Sequence, residues 1–454
     1  MIGRFLEKAL LDWKEDPLRK PLVLRGARQT GKTTLVKQLG RYFENSVALN
    51  LELLSDRRHW EGNPSVQELL KNIEVAKGIK ITPSRTLLFL DEIQNEPRAI
   101  QSLRYFYETI PNLHVIATGS LLEVALQDKG FSFPVGRVSF LFLYPLCFGE
   151  FLNAIGEHTL YDEISHLTWK TPLSVALHSL ASQFFSDYLY TGGMPEVVKT
   201  YAEEKSFLPL IPIKESLLIA FEEDVPKYAK PSQVKYIQFL IRQAPLFAGQ
   251  RIQYANFGNS GYPSREMRQA FETLEQALVV QRIFGTSQSM APLQPSFTVS
   301  PKLLYLDTGL VTQKLNVEPQ MLKTGDLNDL FRGTLAEQMV GQELLCQNFL
   351  KRDLPSFWYR NKPGSTAETD FAITLSGQVI PIEVKSGKSG RLRSLFQFME
   401  QSPHPFAVRI YSGPLQVDPL ETKSGKKFEL ISVPFYLAYH LKNILGEWIK
   451  ENPV

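Results

Sequence analysis

A chain of 454 residues is too long for a single core and implies two to three domains. Its 43% hydrophobic and 21% charged content is ordinary for a soluble globular protein, and a net charge of +3 is too small to argue by itself for nucleic acid. The two cysteines, Cys147 and Cys346, form neither a disulfide framework nor a zinc motif; they read as small buried hydrophobes in a reducing cytosol, so a cytoplasmic location is expected. The amino-terminal stretch alternates apolar and charged residues at helical spacing, and no run here or later has the length of a membrane span, so no membrane partner is expected.

The apolar residues Leu22, Val23 and Leu24 predict a buried strand. Gly26-Ala27-Arg28-Gln29-Thr30-Gly31-Lys32-Thr33 follows, and then a helical run from Thr34 to Tyr42. The pattern is G-x-x-x-x-G-K-[ST], and the strand–loop–helix context is what makes it a phosphate cradle. Backbone N–H groups of such a turn point inward, and the helix N-terminus adds partial positive charge. Lys32 would reach the β- and γ-phosphates of ATP, and Thr33 would ligate Mg²⁺. Gly26 to Thr34 are therefore the candidate nucleotide-binding residues.

Thr86 to Asp91 is an apolar strand ending in two acids, suited to a parallel sheet buried on both faces. Asp91 would hold the Mg²⁺, and Glu92 would polarise the attacking water as general base. A third strand, near 113–118, runs into Thr118-Gly119-Ser120; Thr118 and Ser120 are candidates for sensing the γ-phosphate. Strands are also expected near 46–51 and 137–143. Arg137 opens the last of these and is a candidate arginine finger. Residues 150–200 read as helical and close on Gly192-Gly193-Met194-Pro195, an irregular turn expected to pack near the nucleotide as a helical lid.

The middle part, about 205–315, has helices that include Val234 to Gln243. Another helix starts near Ser264, whose hydroxyl is expected to be its N-cap. Strand-like runs at Val279 to Phe284 and Leu303 to Leu306 complete the element order of a winged helix. The outward face of the second helix carries Arg265, Arg268 and Gln269, but also Glu266, Glu272 and Glu275, which would repel phosphates. DNA binding and packing against the ATPase are both open for this module.

The last part, about 325–454, contains a hairpin: Thr369 to Leu375, a Ser376-Gly377 turn, and Gln378 to Lys385. Alternation along a strand places Glu383 and Lys385 on one face, with Asp370 on the partner strand. Two carboxylates make a hard oxygen site for Mg²⁺ or Mn²⁺, and Glu337 on a helical run from Thr334 could complete it. Such a metal can polarise a phosphodiester, with Lys385 positioning the nucleophile or offsetting charge. Lys388, Arg391 and Arg393 could track a phosphate backbone. A solvated hairpin with charge on its wet face is the competing reading.

The P-loop, the Leu-Asp-Glu strand end, Thr118-Gly119-Ser120, Gly136-Arg137 and Gly192-Gly193-Met194-Pro195 together resemble the prokaryotic AAA+-type ATPases with a C-terminal domain of unknown function, related to the archaeal ATPase and STAND branches. The resemblance covers nearly the whole chain, and its tail is similar to the PD-(D/E)xK nuclease fold. It implies nucleotide chemistry for Gly31, Lys32, Thr33, Asp91 and Glu92. It implies a nuclease-like site at Glu337, Asp370, Glu383 and Lys385. Two features depart from the pattern: no sensor-2 arginine stands after the lid, and Thr369 precedes Asp370 where the motif has proline.

The expected architecture is thus α/β. It has a P-loop NTPase parallel sheet with helical lid (1–204), a winged-helix domain (205–324) and a restriction-endonuclease-like α/β domain (325–454). The expected function is Mg²⁺-dependent ATP binding and hydrolysis coupled to DNA binding or cleavage. The alternative is an ATP-dependent switch that binds a protein partner and whose nuclease-like site is inactive. A homo-oligomer is compatible with either.

Overall fold

The computed structural model describes residues 2–119, 134, 136–227, 229–317, 333–350, 354–385 and 392–453. Leu22–Arg25 (β1), Asn45–Asn50 (β2), Thr86–Asp91 (β3), His114–Gly119 (β4) and Ser139–Phe142 (β5) build an all-parallel sheet in the order β2-β3-β4-β1-β5. Every residue of β1 and β4 is buried, as is all of β3 up to Leu90. Uninterrupted apolar runs are what a sheet covered on both faces demands. The strand order sets β4 between the P-loop strand and the acidic strand. Their carboxyl ends therefore open onto one edge, where parallel α/β sheets bind ligands.

Beyond this sheet the helices Val175–Thr191 and Pro195–Glu204 flank the Gly192-Gly193-Met194 turn. In the middle part Val234–Gln243 packs on Ser264–Gln276. Ser264 is the first helical residue; the cap position falls to Pro263, and no side chain caps the helix. Val280–Ile283 (β6) and Lys302–Tyr305 (β8) then pair antiparallel. Gly285–Thr286 (β7) leaves this pair and adds to the edge of the second sheet, in parallel with Ser356–Tyr359 (β9).

The second sheet also contains Glu368–Leu375 (β10), Gln378–Val384 (β11), Phe406–Tyr411 (β12), Gln416–Glu421 (β13) and Lys427–Pro434 (β14). Its order is β13-β14-β12-β11-β10-β9-β7, mixed parallel and antiparallel. β11 gains β12 as a second neighbour and becomes an interior strand. Its run Val379 to Val384 is buried throughout, Glu383 included. The hairpin has no wet face there, because local alternation does not reveal that the strand is covered on both sides. One hydrophobic cluster runs from Ala27 in the P-loop through Phe271 and Leu304 to Ile449, while the core of the parallel sheet and one face of the second sheet form separate clusters. Among the described residues no helix is long and apolar enough to cross a membrane.

Candidate nucleotide site and the carboxylate cluster

The loop after β1 is closed by backbone geometry that only glycine tolerates. A Cβ at Gly26 would lie 2.5 Å from the Leu143 carbonyl oxygen, and Gly31 has φ +93°. The Lys32–Leu39 helix starts immediately after it, so its first N–H groups face the loop. Lys32 is 6% exposed, and its Nζ donates to the carbonyls of Gly26 (3.0 Å) and Ala27 (2.9 Å). Burial lowers its pKa to about 8, with Glu92 and Asp91 pulling the other way. Thr30 Oγ1 donates to Ala27 O at 2.9 Å, and Gln29 takes a positive φ of 62°.

Asp91 ends β3 and joins two elements. Thr33 Oγ1 donates to its Oδ2 at 2.9 Å, and the Thr118 hydroxyl of β4 donates to its Oδ1. The two expected magnesium ligands, Thr33 and Asp91, therefore converge, with Thr118 beside them. Glu92 sits in the left-handed region at φ 53°, and its Oε2 accepts from Gln94 Nε2 at 2.6 Å. Glycine cradle, buried ammonium, hydroxyl and carboxylate are the donor set that a magnesium nucleotide takes. Thr34 is exposed on the helix, and Ser120 lies outside the described residues.

Arg137 is not brought to this edge. It precedes Ser139, the partner of Leu22, and so stands at the amino-terminal end of the strands, where its Nε pairs with Glu108 at 2.9 Å. The P-loop leaves from the opposite end of β1, roughly 13 Å away for a four-residue strand.

Four braces on the loop were not legible in the sequence. Arg4 Nη1 donates to Thr30 O (3.0 Å), its Nη2 to Tyr144 O (2.6 Å), and its Nε pairs with Glu150 (3.1 Å). Arg28 Nε pairs with Asp224 Oδ2 at 2.6 Å, just past the Leu210–Glu223 helix, and Asp224 is 4% exposed. Arg25 Nη2 donates to Gln276 O at 2.9 Å, where the Ser264–Gln276 helix ends. Gly193 N donates to Asp307 Oδ2 at 2.6 Å while its carbonyl accepts from Leu146 N at 2.7 Å. This sets the Pro195–Glu204 helix beside the loop: a Cβ on Gly31 would meet Pro195 Cγ at 3.5 Å. Asp307 had one readable signal. Its side chain accepts from Leu310 N at 3.2 Å, the N-cap of Thr308–Lys314.

In the middle helix, residues expected to face outward are already engaged. Glu275 pairs with Arg282 at 2.6 Å, Gln269 accepts from Gln233 at 3.0 Å, and the Arg268 guanidinium lies 5.0 Å from the centre of the Tyr254 ring.

Glu337, Asp370 and Glu383 do come together in the second sheet, but around lysines. Lys385 Nζ pairs with Glu383 Oε1 at 2.6 Å. Asp370 Oδ2 accepts from Val384 N at 2.7 Å. Lys302, from β8, lies 2.7 Å from Glu337 Oε2, 3.3 Å from Glu368 Oε1 and 3.5 Å from Asp370 Oδ1. Burial and then the Asp370 charge push the Glu337 and Glu383 carboxyls well above the usual range, against the pull of the lysines. Among the described residues no group of three or more histidine, cysteine, aspartate or glutamate side chains is arranged to hold a metal ion. The donors as arranged do not fit a divalent cation, because an ammonium lies among them. Lys388 and Arg391 lie outside the described residues, and Arg393 begins the Arg393–Gln401 helix.

Residues 18–152 match a family described as an AAA domain. Residues 182–321 and 332–430 match two families described as domains of unknown function (DUF8612 and DUF4143). No curated protein matches the chain. Among solved structures it is similar to a Walker-type ATPase of Pyrococcus abyssi (14% identity, 69% of this chain and 96% of that one, TM-score 0.42). It is also similar to the Aeropyrum pernix ORC1 protein in complex with DNA (16%, 70% and 93%, 0.24). A third likeness is to a STAND protein with a tetratricopeptide repeat sensor from Pyrococcus horikoshii (12%, 76% and 48%, 0.27). The parallel sheet, the Lys32 cradle and the family match together make the amino-terminal part a P-loop ATPase domain of the AAA kind.

Proposed function

We propose that the chain is an ATP-operated switch whose middle and carboxyl-terminal parts bind a protein partner. The parts are an ATPase with helical lid (1–204), a winged-helix module (205–324) and a nuclease-fold body (325–454) whose cutting site is inactive. Lys32 would hold the β- and γ-phosphates. Thr33 and Asp91 would ligate Mg²⁺, which neutralises phosphate charge when bound. Glu92, released from Gln94, would accept the proton of the attacking water. Thr118, hydrogen-bonded to Asp91, would sense the state of the site.

The observation that carries the switch is the Arg28–Asp224 ion pair. A residue inside the phosphate loop is held by a buried carboxylate of the middle part. Phosphate competes with Asp224 for the same guanidinium, so nucleotide binding can alter a contact outside the ATPase. A cutting role is disfavoured by the Lys385–Glu383 pair.

The test combines ATP turnover with incubation of supercoiled plasmid in Mg²⁺ or Mn²⁺, with and without ATP, beside Asp370→Ala. Turnover without cleavage is expected. Cleavage that disappears in Asp370→Ala would replace the switch with an ATP-gated nuclease.

A further inference from the structure

We propose that the Lys302 ammonium is the resident cation of the carboxylate cluster. It stands where a divalent ion would stand, and its removal opens a Mg²⁺ or Mn²⁺ site made by Glu337, Glu368 and Asp370. This goes beyond the switch reading and does not depend on ATP turnover.

The geometry is that of a coordinated ion. Lys302 Nζ has the Glu337, Glu368 and Asp370 carboxylates within 2.7, 3.3 and 3.5 Å, and it donates to the Asp370 carbonyl at 3.2 Å. Carboxylates with a backbone carbonyl are the hard oxygen set that Mg²⁺ and Ca²⁺ use, at about 2.0–2.6 Å. A dication bonded to those oxygens would sit within a few ångströms of the ammonium. At such a separation a charge of +1 against +2 is strongly repelled in a buried site.

The lysine is not a loose surface chain that could step aside. It is 3% exposed, and its Nζ lies 5.6 and 5.7 Å from the ring centres of Phe357 and Phe371. Its backbone is pinned by the Ile283 pairing of β6 and the Arg251 bridge, and Leu303 N donates to Gln250 O at 2.8 Å. Lysine is costly to bury and is kept where it is paired.

The four acids Glu337, Glu368, Asp370 and Glu383 are met by three cations: Lys302, Lys385 on Glu383, and Arg251 on Glu368 at 3.0 Å. One oxygen is left over: Glu383 Oε2 is buried without a hydrogen-bond partner.

The lysine also comes from a different element from the acids it neutralises. Lys302 belongs to the β6–β8 pair of the middle part, whereas Glu368 and Asp370 lie on β10 and Glu337 on the Thr334–Cys346 helix. The middle part therefore plugs the site of the sheet it abuts.

The experiment measures Mn²⁺ binding by electron paramagnetic resonance on the full, nucleotide-free chain. It compares wild type, Lys302→Ala, Lys302→Met and each with Asp370→Asn added. Lys302→Met keeps the apolar stem between the two rings, in case the alanine variant does not fold. Wild type is expected to bind no Mn²⁺ that depends on Asp370. The lysine variants are expected to gain one Mn²⁺ site that wild type lacks, with the gain lost in Asp370→Asn. Mn²⁺ binding by wild type that Asp370→Asn removes would overturn the proposal, as would folded lysine variants that gain none. ATP turnover read on the same samples reports separately on the switch: its absence in wild type would remove that reading and leave the cation assignment standing.

Discussion

Lys32 illustrates how a single side chain can be read before any fold is known. The pattern around it is local, eight residues long, and its chemistry requires an ammonium at that spacing. In the folded chain the ammonium rests on two loop carbonyls, at the place where phosphate oxygens would replace them as partners. Lys32→Ala is expected to abolish tight ATP binding, checked by titration calorimetry. Glu92→Gln is expected to keep ATP binding and slow turnover by roughly a hundredfold or more, because only the proton acceptor is lost. Comparable rates would move the base elsewhere. Arg137 shows the limit of such reading. It reads as a candidate arginine finger, yet it pairs with Glu108 at the far end of the strands. Arg137→Ala should turn over ATP like wild type in dilute solution. A deficit that grows with protein concentration would indicate a role across a contact between copies.

At the scale of elements, the lid turn and the Asp224 brace decide how the ATPase meets the rest of the chain. Gly193 is packed so tightly that a Cβ would lie 2.1 Å from the Leu146 carbonyl oxygen. Gly193→Ala should therefore cost about 3–5 kcal/mol, read from denaturant unfolding, because backbone on both sides must move. A loss near the usual few tenths for an exposed Gly→Ala would mean that the turn relaxes freely. Asp224 receives both Arg28 (2.6 Å) and Lys227 (2.8 Å). Asp224→Asn should release Arg28 toward the phosphates and tighten ATP binding severalfold, at about 1–3 kcal/mol of stability. Weaker ATP binding in a folded Asp224→Asn protein would mean that Asp224 holds the loop in its binding form. Neither contact was visible in the sequence: the Gly-Gly-Met-Pro turn announced irregularity, but not the Asp307 and Leu146 groups that require it.

Across the whole molecule, buried acids knit the three sequence regions together. Glu343 accepts from Phe148 N at 3.1 Å and from the Tyr188 hydroxyl at 2.8 Å, so the Thr334–Cys346 helix is tied to the lid. Burial raises its pKa from 4.5 to about 8, and burial raises that of Asp307 from 3.8 to about 6, the hydrogen bonds offsetting only part. These are acids whose folded values stand above their unfolded ones. Below pH 3.8 both forms are protonated and nothing is gained or lost. As pH climbs, the unfolded chain ionises first, so the contribution of these two acids falls between about pH 4 and pH 8 and levels off above. Wild type should lose stability relative to Glu343→Gln as pH rises from about 5 to about 8, measured by thermal unfolding of both, while Lys214, held down to about 7 by burial, works the other way in each. A difference between the two that does not change with pH would contradict the buried, proton-holding state of Glu343.

The sequence by itself determined the nucleotide chemistry. A P-loop is contiguous, its strand and helix are encoded by neighbouring residues, and the acids of β3 are marked by the apolar run that ends in them. It also determined the five parallel strands to within a residue or two; the three interior ones, β1, β3 and β4, are buried on both faces and written as apolar runs. Only the tertiary structure decided what surrounds those groups. Glu337, Asp370 and Glu383 were readable as acids, but the lysine among them is 35 residues from Glu337 and 68 from Asp370. Nothing in Pro301-Lys302-Leu303 marks that lysine for burial. Packing of β8, which pairs with β6, beside the β10–β11 hairpin made an ion-paired cluster of what read locally as the wet face of a hairpin. A buried charge has no local signature, because its neutralising partners are supplied by the fold.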